Sequence, residues 1–127
     1  MIQKILVVDD DPEILLNLSE LLRHHGFEVS TALNAEEFER EFFKNSPELI
    51  ILDIFLGQDS GPDEYDRIMK MESAKKTPVA FLSGKCEIGS ESPLVRGRQV
   101  ALYLKPLSVE KLVQDIRAAF SDSSVAA

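Results

Sequence analysis

Two short runs in this chain, Ile5-Leu6-Val7-Val8 and Leu49-Ile50-Ile51-Leu52, are apolar at every position. A strand with one wet face alternates apolar and polar residues, whereas one that is apolar throughout fits burial on both faces. Segments with helical spacing follow these runs, and strands that alternate with amphipathic helices imply a parallel sheet. Each crossover has to pack back onto a face of that sheet with right-handed sense.

The alternation runs the length of the chain. Asp11 caps a first helix with Pro12 at its first position, and Ile14, Leu15, Leu18, Leu21 and Leu22 recur along it until Gly26. Phe27 to Ala32 reads as a second strand. Asn34 caps a second helix with Phe38, Phe42 and Phe43 as its apolar face, and Asn45, Ser46 and Pro47 end it. After the strand at Leu49 to Leu52 and a Gly/Asp/Ser loop, Pro62 opens a third helix carrying Tyr65, Ile68 and Met69. Val79 to Leu82 form a fourth strand and Ala101 to Leu104 a fifth. Ser108 then caps a last helix with Val109, Leu112, Val113 and Ile116 inward. The stretch from Glu87 to Gln99 holds Gly89, Ser90, Pro93 and Gly97, all poor in a helix interior, so a short, displaced or mobile element is expected there.

A length of 127 residues suits one compact domain, expected at 1–120 with a flexible Ser/Ala tail at 121–127. Apolar residues at 44% and charged residues at 28% are ordinary for a soluble protein that folds by itself. The net charge of -8 opposes nucleic acid and anionic membrane surfaces, so direct DNA binding by this domain is not expected. No apolar run approaches the ~20 residues that span a bilayer. Met1 leads straight into a strand without a secretory pattern, and the single Cys86 has no partner for an internal disulfide. The expected compartment is the cytoplasm.

In open α/β sheets ligands bind beyond the carboxyl ends of the strands. The residues there are Asp9 and Asp10, Asp53, Ser83 and Lys105. Asp9, Asp10 and Asp11 repel one another, and Asp53 ends a strand that can lie beside theirs, so something cationic is needed. Hard oxygen ligands with room for water suit Mg²⁺. Lys105 offers a second positive charge suited to a phosphoryl oxygen, and Ser83 a hydroxyl donor. Other polar residues have plainer readings. Asp11 is a helix cap, His24 and His25 close a helix where positive charge suits the dipole, and Cys86 has no evident base beside it.

Val7-Val8-Asp9-Asp10-Asp11-Pro12, Leu52-Asp53-Ile54, Leu82-Ser83-Gly84 and Leu104-Lys105-Pro106 together resemble the signature of the receiver domain of two-component response regulators. The resemblance follows the family's order and covers nearly the whole chain. It implies a flavodoxin-like, doubly wound α/β fold, with a five-stranded parallel sheet in the order 2-1-3-4-5 and helices on both faces. It also implies that Asp53 is the phosphoacceptor and that Mg²⁺ is held by Asp10, by Asp9 mainly through water, by Asp53 and by the backbone carbonyl of Phe55. Ser83 would be the switch hydroxyl and Lys105 the phosphoryl-contacting amine, followed by a cis bond to Pro106. Phe55 and Lys85 occupy the positions that tune dephosphorylation. The implied donor is a sensor histidine kinase or histidine phosphotransfer protein. The implied output is a switched partner-binding face, with a phosphorylation-dependent dimer as one form. By the same resemblance the domain is not an enzyme, beyond weak self-catalysed gain and loss of phosphate.

Three alternatives fit the residues less well. A receiver-like interaction module working without phosphorylation has no need of Asp10, Asp53, Ser83 and Lys105 together. A phosphatase of the haloacid dehalogenase type would want an Asp-x-Asp motif, present in Asp9-Asp10-Asp11 only trivially, and a cap domain. A flavodoxin-like FMN carrier would want a Ser/Thr/Gly-rich phosphate loop where these acids stand. The chain also departs from the receiver pattern. Gly57 replaces the usual proline, which predicts a loose loop over Gly57 to Gly61. Leu102 stands where an aromatic switch residue is usual, while Tyr103, one place later, is expected to face the other side of the strand.

Overall fold

The elements follow in the order β1 (Lys4–Val8), α1 (Pro12–His24), β2 (Glu28–Ala32), α2 (Ala35–Asn45), β3 (Leu49–Asp53), β4 (Phe55–Leu56), β5 (Asp59–Ser60), α3 (Gly61–Met71), β6 (Val79–Ser83), β7 (Val100–Leu104) and α4 (Val109–Phe120). They are taken from a computed structural model that describes residues 3–71, 76–84 and 91–120. Five strands form one parallel sheet in the order β2-β1-β3-β6-β7, the doubly wound order expected.

Both all-apolar runs lie at the centre of this sheet, and successive residues point into opposite layers. Ile5, Val7, Leu49 and Ile51 pack with Leu15, Leu18 and Leu22 of α1 and with Leu112, Val113 and Ile116 of α4. Leu6, Val8, Ile50 and Leu52 pack on the other side with Phe38 and Phe42 of α2 and with Tyr65 and Ile68 of α3. α1, α2 and α4 begin where the sequence predicts, and α3 begins one residue earlier, at Gly61. The Asp11 carboxylate accepts the Glu13 N–H at 3.0 Å. Asn34 accepts the Glu37 N–H at 2.8 Å while Glu37 accepts the N–H of Leu33, the residue before the cap, at 2.9 Å, so two otherwise orphaned donors are satisfied. No helix among the described residues is long and apolar enough to cross a membrane.

The structure corrects two expectations and gives form to a third. Phe43 and Leu21 are exposed, because the buried stripe of each helix is narrower than its run of apolar residues. The loop after β3 is not loose: β4 and β5 pair as an antiparallel hairpin through Phe55 with Ser60 and Leu56 with Asp59. Residues 91–99 contain no helix and form a strap along the outer edge of β7. Ser92 and Leu102 exchange backbone hydrogen bonds of 2.9 and 2.8 Å, and the Glu91 carboxylate accepts the Leu104 N–H at 2.9 Å. The strap thus covers donors that an edge strand would otherwise leave open. Residues 85–90, the other part of the stretch expected to be irregular, lie outside the described residues, as do Lys85 and the 121–127 tail.

Candidate functional site

β1 and β3 are neighbours in parallel register, with Val8 beside Leu52, so both strands deliver their terminal acids to one end of the sheet. Asp9 is 1% exposed and Asp53 8%, while Asp10, one residue further out, is exposed. One carboxylate oxygen from each of the three lies within 4.8 Å of the others. Lys105 arrives from the end of β7 across β6. Its Nζ is 3.0 Å from Asp53 Oδ2, which accepts its hydrogen bond, and 3.6 Å from Asp9 Oδ2.

The remaining oxygens are held by backbone. Asp53 Oδ1 accepts the Phe55 N–H at 3.1 Å, Asp9 Oδ1 the Asp11 N–H at 2.9 Å, and Asp10 Oδ2 the Gly57 N–H at 3.0 Å. Asp9 Oδ2 is buried and has no hydrogen-bond partner among the described residues. Burial raises the Asp9 carboxyl above its ordinary 3.8, with the charges of Asp53 and Asp10 adding to that rise, although the Asp11 N–H and Lys105 oppose it. Burial alone would lower the Lys105 ammonium. The hydrogen bond and charge of Asp53, joined by Asp9, outweigh burial and leave it above 10.5.

Ser83, at the end of β6, is buried, and its carbonyl accepts the Lys105 N–H at 2.8 Å. Its neighbour Leu82 is paired with Asp53, so Ser83 flanks the acids from the side opposite β1. The Lys105–Pro106 bond is cis, as the resemblance implies. Phe55 meets Asp53 through its backbone, with its ring 50% exposed. Asp9, Asp10, Asp53, Ser83 and Lys105 are therefore gathered at one end of the sheet. His24 and His25 close α1, away from the strand ends that carry these acids.

Sequence reasoning missed two glycines. A Cβ on Gly61 would lie 2.2 Å from the Asp53 carbonyl oxygen, so only glycine fits beneath the site. Gly57 adopts φ +61 and donates to Asp10. Their place in a Gly/Asp/Ser loop and, at Gly57, the departure from the receiver proline are the signals the sequence carries.

The cluster suits a hard divalent cation. Its ligand atoms are carboxylate oxygens, and Asp9 Oδ2, buried without a hydrogen bond, shares the one Lys105 ammonium with Asp53 while three carboxylates converge, so the cluster calls for further positive charge.

Comparison with known proteins agrees with this geometry. Residues 5–117 match the family model of the response regulator receiver domain. The chain is 35% identical over 118 residues to the transcriptional regulatory protein CpxR of Escherichia coli (strain K12), covering 91% of this chain and 48% of that protein. It is 31% identical over 121 residues to the phosphate regulon transcriptional regulatory protein PhoB of Rhizobium meliloti (strain 1021), covering 93% and 52%. The chain thus spans about half the length of these relatives. A crystal structure of a response regulator receiver domain protein from Clostridium thermocellum superposes with a TM-score of 0.76 at 27% identity, covering 99% of this chain and all of that one. Fold, site and sequence together define a doubly wound α/β domain of the receiver type. This chain belongs to the response regulator receiver domain family.

Proposed function

We propose that this chain accepts a phosphoryl group on Asp53 from a phosphohistidine of a sensor kinase or phosphotransfer protein, and that the aspartyl phosphate is its signal. The observation that carries this reading is the Lys105 ammonium 3.0 Å from Asp53, beside a three-carboxylate cluster. Asp9, Asp10 and Asp53, with the Phe55 carbonyl, would hold Mg²⁺. The ion would supply positive charge opposite the phosphoryl oxygens.

An Asp53 oxygen attacks phosphorus in line, a P–O bond forms, and the P–N bond to the donor imidazole breaks. The phosphoryl oxygens then lie within reach of the Lys105 ammonium, which offsets the charge developing on them. Asp9 stays buried at the back of the cluster and Asp10 holds its outer side. Ser83 donates its hydroxyl to a phosphoryl oxygen and carries the change into the β6 end and the segment beyond it. The output is a protein contact made by the altered face, including association of two phosphorylated copies. The domain does not bind nucleic acid itself, as its charge of -8 suits a protein partner better than a phosphate backbone.

The test is intact-mass measurement after incubation with acetyl phosphate and Mg²⁺. A single phosphoryl adduct, labile in acid and base, is expected for the natural protein and is expected to be absent from Asp53→Ala. Undiminished labelling of that variant would overturn the assignment.

A further inference from the structure

We propose that Gly57 is a positioning residue whose backbone N–H holds Asp10 in the geometry in which it takes a divalent cation. The inference rests on the receiver reading and goes beyond it by assigning a role to a residue of the hairpin. Gly57 and Gln58 are the two-residue turn between β4 and β5, since Leu56 pairs with Asp59. At the first central position of such a turn a positive φ is needed, and Gly57 has φ +61. That conformation aims the amide at a residue 47 positions away in sequence, where it donates to Asp10 Oδ2 at 3.0 Å.

Asp10 is the exposed member of the cluster, and its carboxylate is free to sample several rotamers unless something holds it. The Gly57 N–H fixes Oδ2 of a carboxylate that has an oxygen within 4.8 Å of those of Asp9 and Asp53. Hydrogen bonds of this kind to a ligating carboxylate raise metal affinity, and losing one typically weakens binding by about 10–100-fold. A proline at this position could neither reach φ +61 nor donate. The glycine that departs from the usual receiver pattern thus performs a job the usual residue cannot. The hairpin itself is anchored at its base, where the Gly61 N–H donates to the Ile54 carbonyl at 2.7 Å, so the Gly57 amide is presented from a fixed frame.

Two substitutions separate donor from turn. Gly57→Asn keeps the N–H, is less strained at positive φ than most side chains, and places a Cβ 4.0 Å from Asp10 Oδ2. Gly57→Pro removes the donor. Calorimetric titration with Mg²⁺ should give a dissociation constant for Gly57→Asn within about twofold of the natural protein, and one about tenfold weaker for Gly57→Pro. Because the proline also disturbs the turn, amide spectra of Asp10→Ala without metal provide a second reading. The Gly57 amide proton should move upfield on loss of its carboxylate acceptor, with the amides of β5 little changed. Equal Mg²⁺ affinity for Gly57→Pro and the natural protein, or an unmoved Gly57 amide in Asp10→Ala, would overturn the inference while leaving the receiver reading intact. Failure of the natural protein to bind Mg²⁺ at all would instead remove the receiver reading, and the inference with it.

Discussion

At Phe55 the backbone and the side chain do separate things, and a substitution can tell them apart. The N–H donates to Asp53 Oδ1 at 3.1 Å whatever the side chain, whereas the half-exposed ring stands two residues from Asp53, the proposed phosphoacceptor, and offers no polar atom to a water molecule. Hydrolysis of an aspartyl phosphate needs water aligned opposite the Asp53 oxygen, so an apolar ring beside that approach should keep the phosphorylated form long-lived. Phe55→Asn retains the N–H and adds a group that can orient water. Its phosphoryl half-life should be about tenfold shorter, a barrier lower by ~1.4 kcal/mol, with Mg²⁺ affinity unchanged. An unaltered half-life would mean the ring does not guard the phosphate. The residues legible in the sequence at this scale, Asp9, Asp10, Asp53, Ser83 and Lys105, share one property: each lies at or just past the end of a buried strand, where a polar or charged residue stands out. The roles of Gly57, seen in the sequence only as a departure from the receiver pattern, and of Gly61 were illegible because their value lies in what approaches them. One faces a carboxylate 47 residues away, and the other the backbone beneath Asp53.

Among the elements, the strap at 91–99 is held to the body of the protein by a network centred on Tyr103. Its ring is buried in the α1/α4 layer, on the face opposite Leu102, as strand alternation predicts. The hydroxyl accepts the Leu94 N–H at 2.9 Å and donates to Asp115 Oδ2 at 2.7 Å, and Lys111 reaches the same carboxylate at 3.2 Å. Tyr103→Phe keeps the ring but orphans the buried Leu94 amide. It should lower stability by about 1–3 kcal/mol and speed hydrogen exchange at Leu94 and Leu102. The same network has a pH signature. Burial above all, with Asp115 nearby, pushes the phenol above its ordinary 10.0, against the smaller opposing effect of the Leu94 N–H. A raised folded value means that its contribution to stability is complete below pH 10.0 and is lost as pH rises beyond it, because the unfolded chain ionises there first. Urea midpoints should therefore fall less steeply above that pH for Tyr103→Phe than for the natural protein. Parallel curves would show that the phenol stays out of this balance. The strands of the main sheet and its helices could be read from periodicity, although Phe43 and Leu21 show that an apolar residue at the rim of a helix's stripe need not be buried. The strap could not, because Ser92 and Glu91 gain their partners only once β7 lies at the edge of the sheet.

For the molecule as a whole, the site concentrates a liability that the fold otherwise spreads out. A net charge of -8 already repels itself, and three carboxylates within 4.8 Å place part of that repulsion at the one end of the sheet where Asp9 cannot be solvated. A cation bound there stabilises the native state alone, since the unfolded chain does not bring residues of β1 and β3 together. At a Mg²⁺ concentration about 100 times the dissociation constant, the linkage gain is ~2.7 kcal/mol, which for a domain of this size corresponds to roughly 10 °C in melting temperature. General screening of an acidic protein also raises stability, so the control is KCl at matched ionic strength, in which only a small fraction of that rise is expected. Asp10→Ala removes a ligand from the exposed side of the cluster without touching the buried Asp9 and Asp53, and should reduce the Mg²⁺ response to the level seen in KCl. Equal stabilisation by the two salts, or a full Mg²⁺ response in Asp10→Ala, would assign the effect to the overall charge of the protein rather than to an ion held at the ends of β1 and β3.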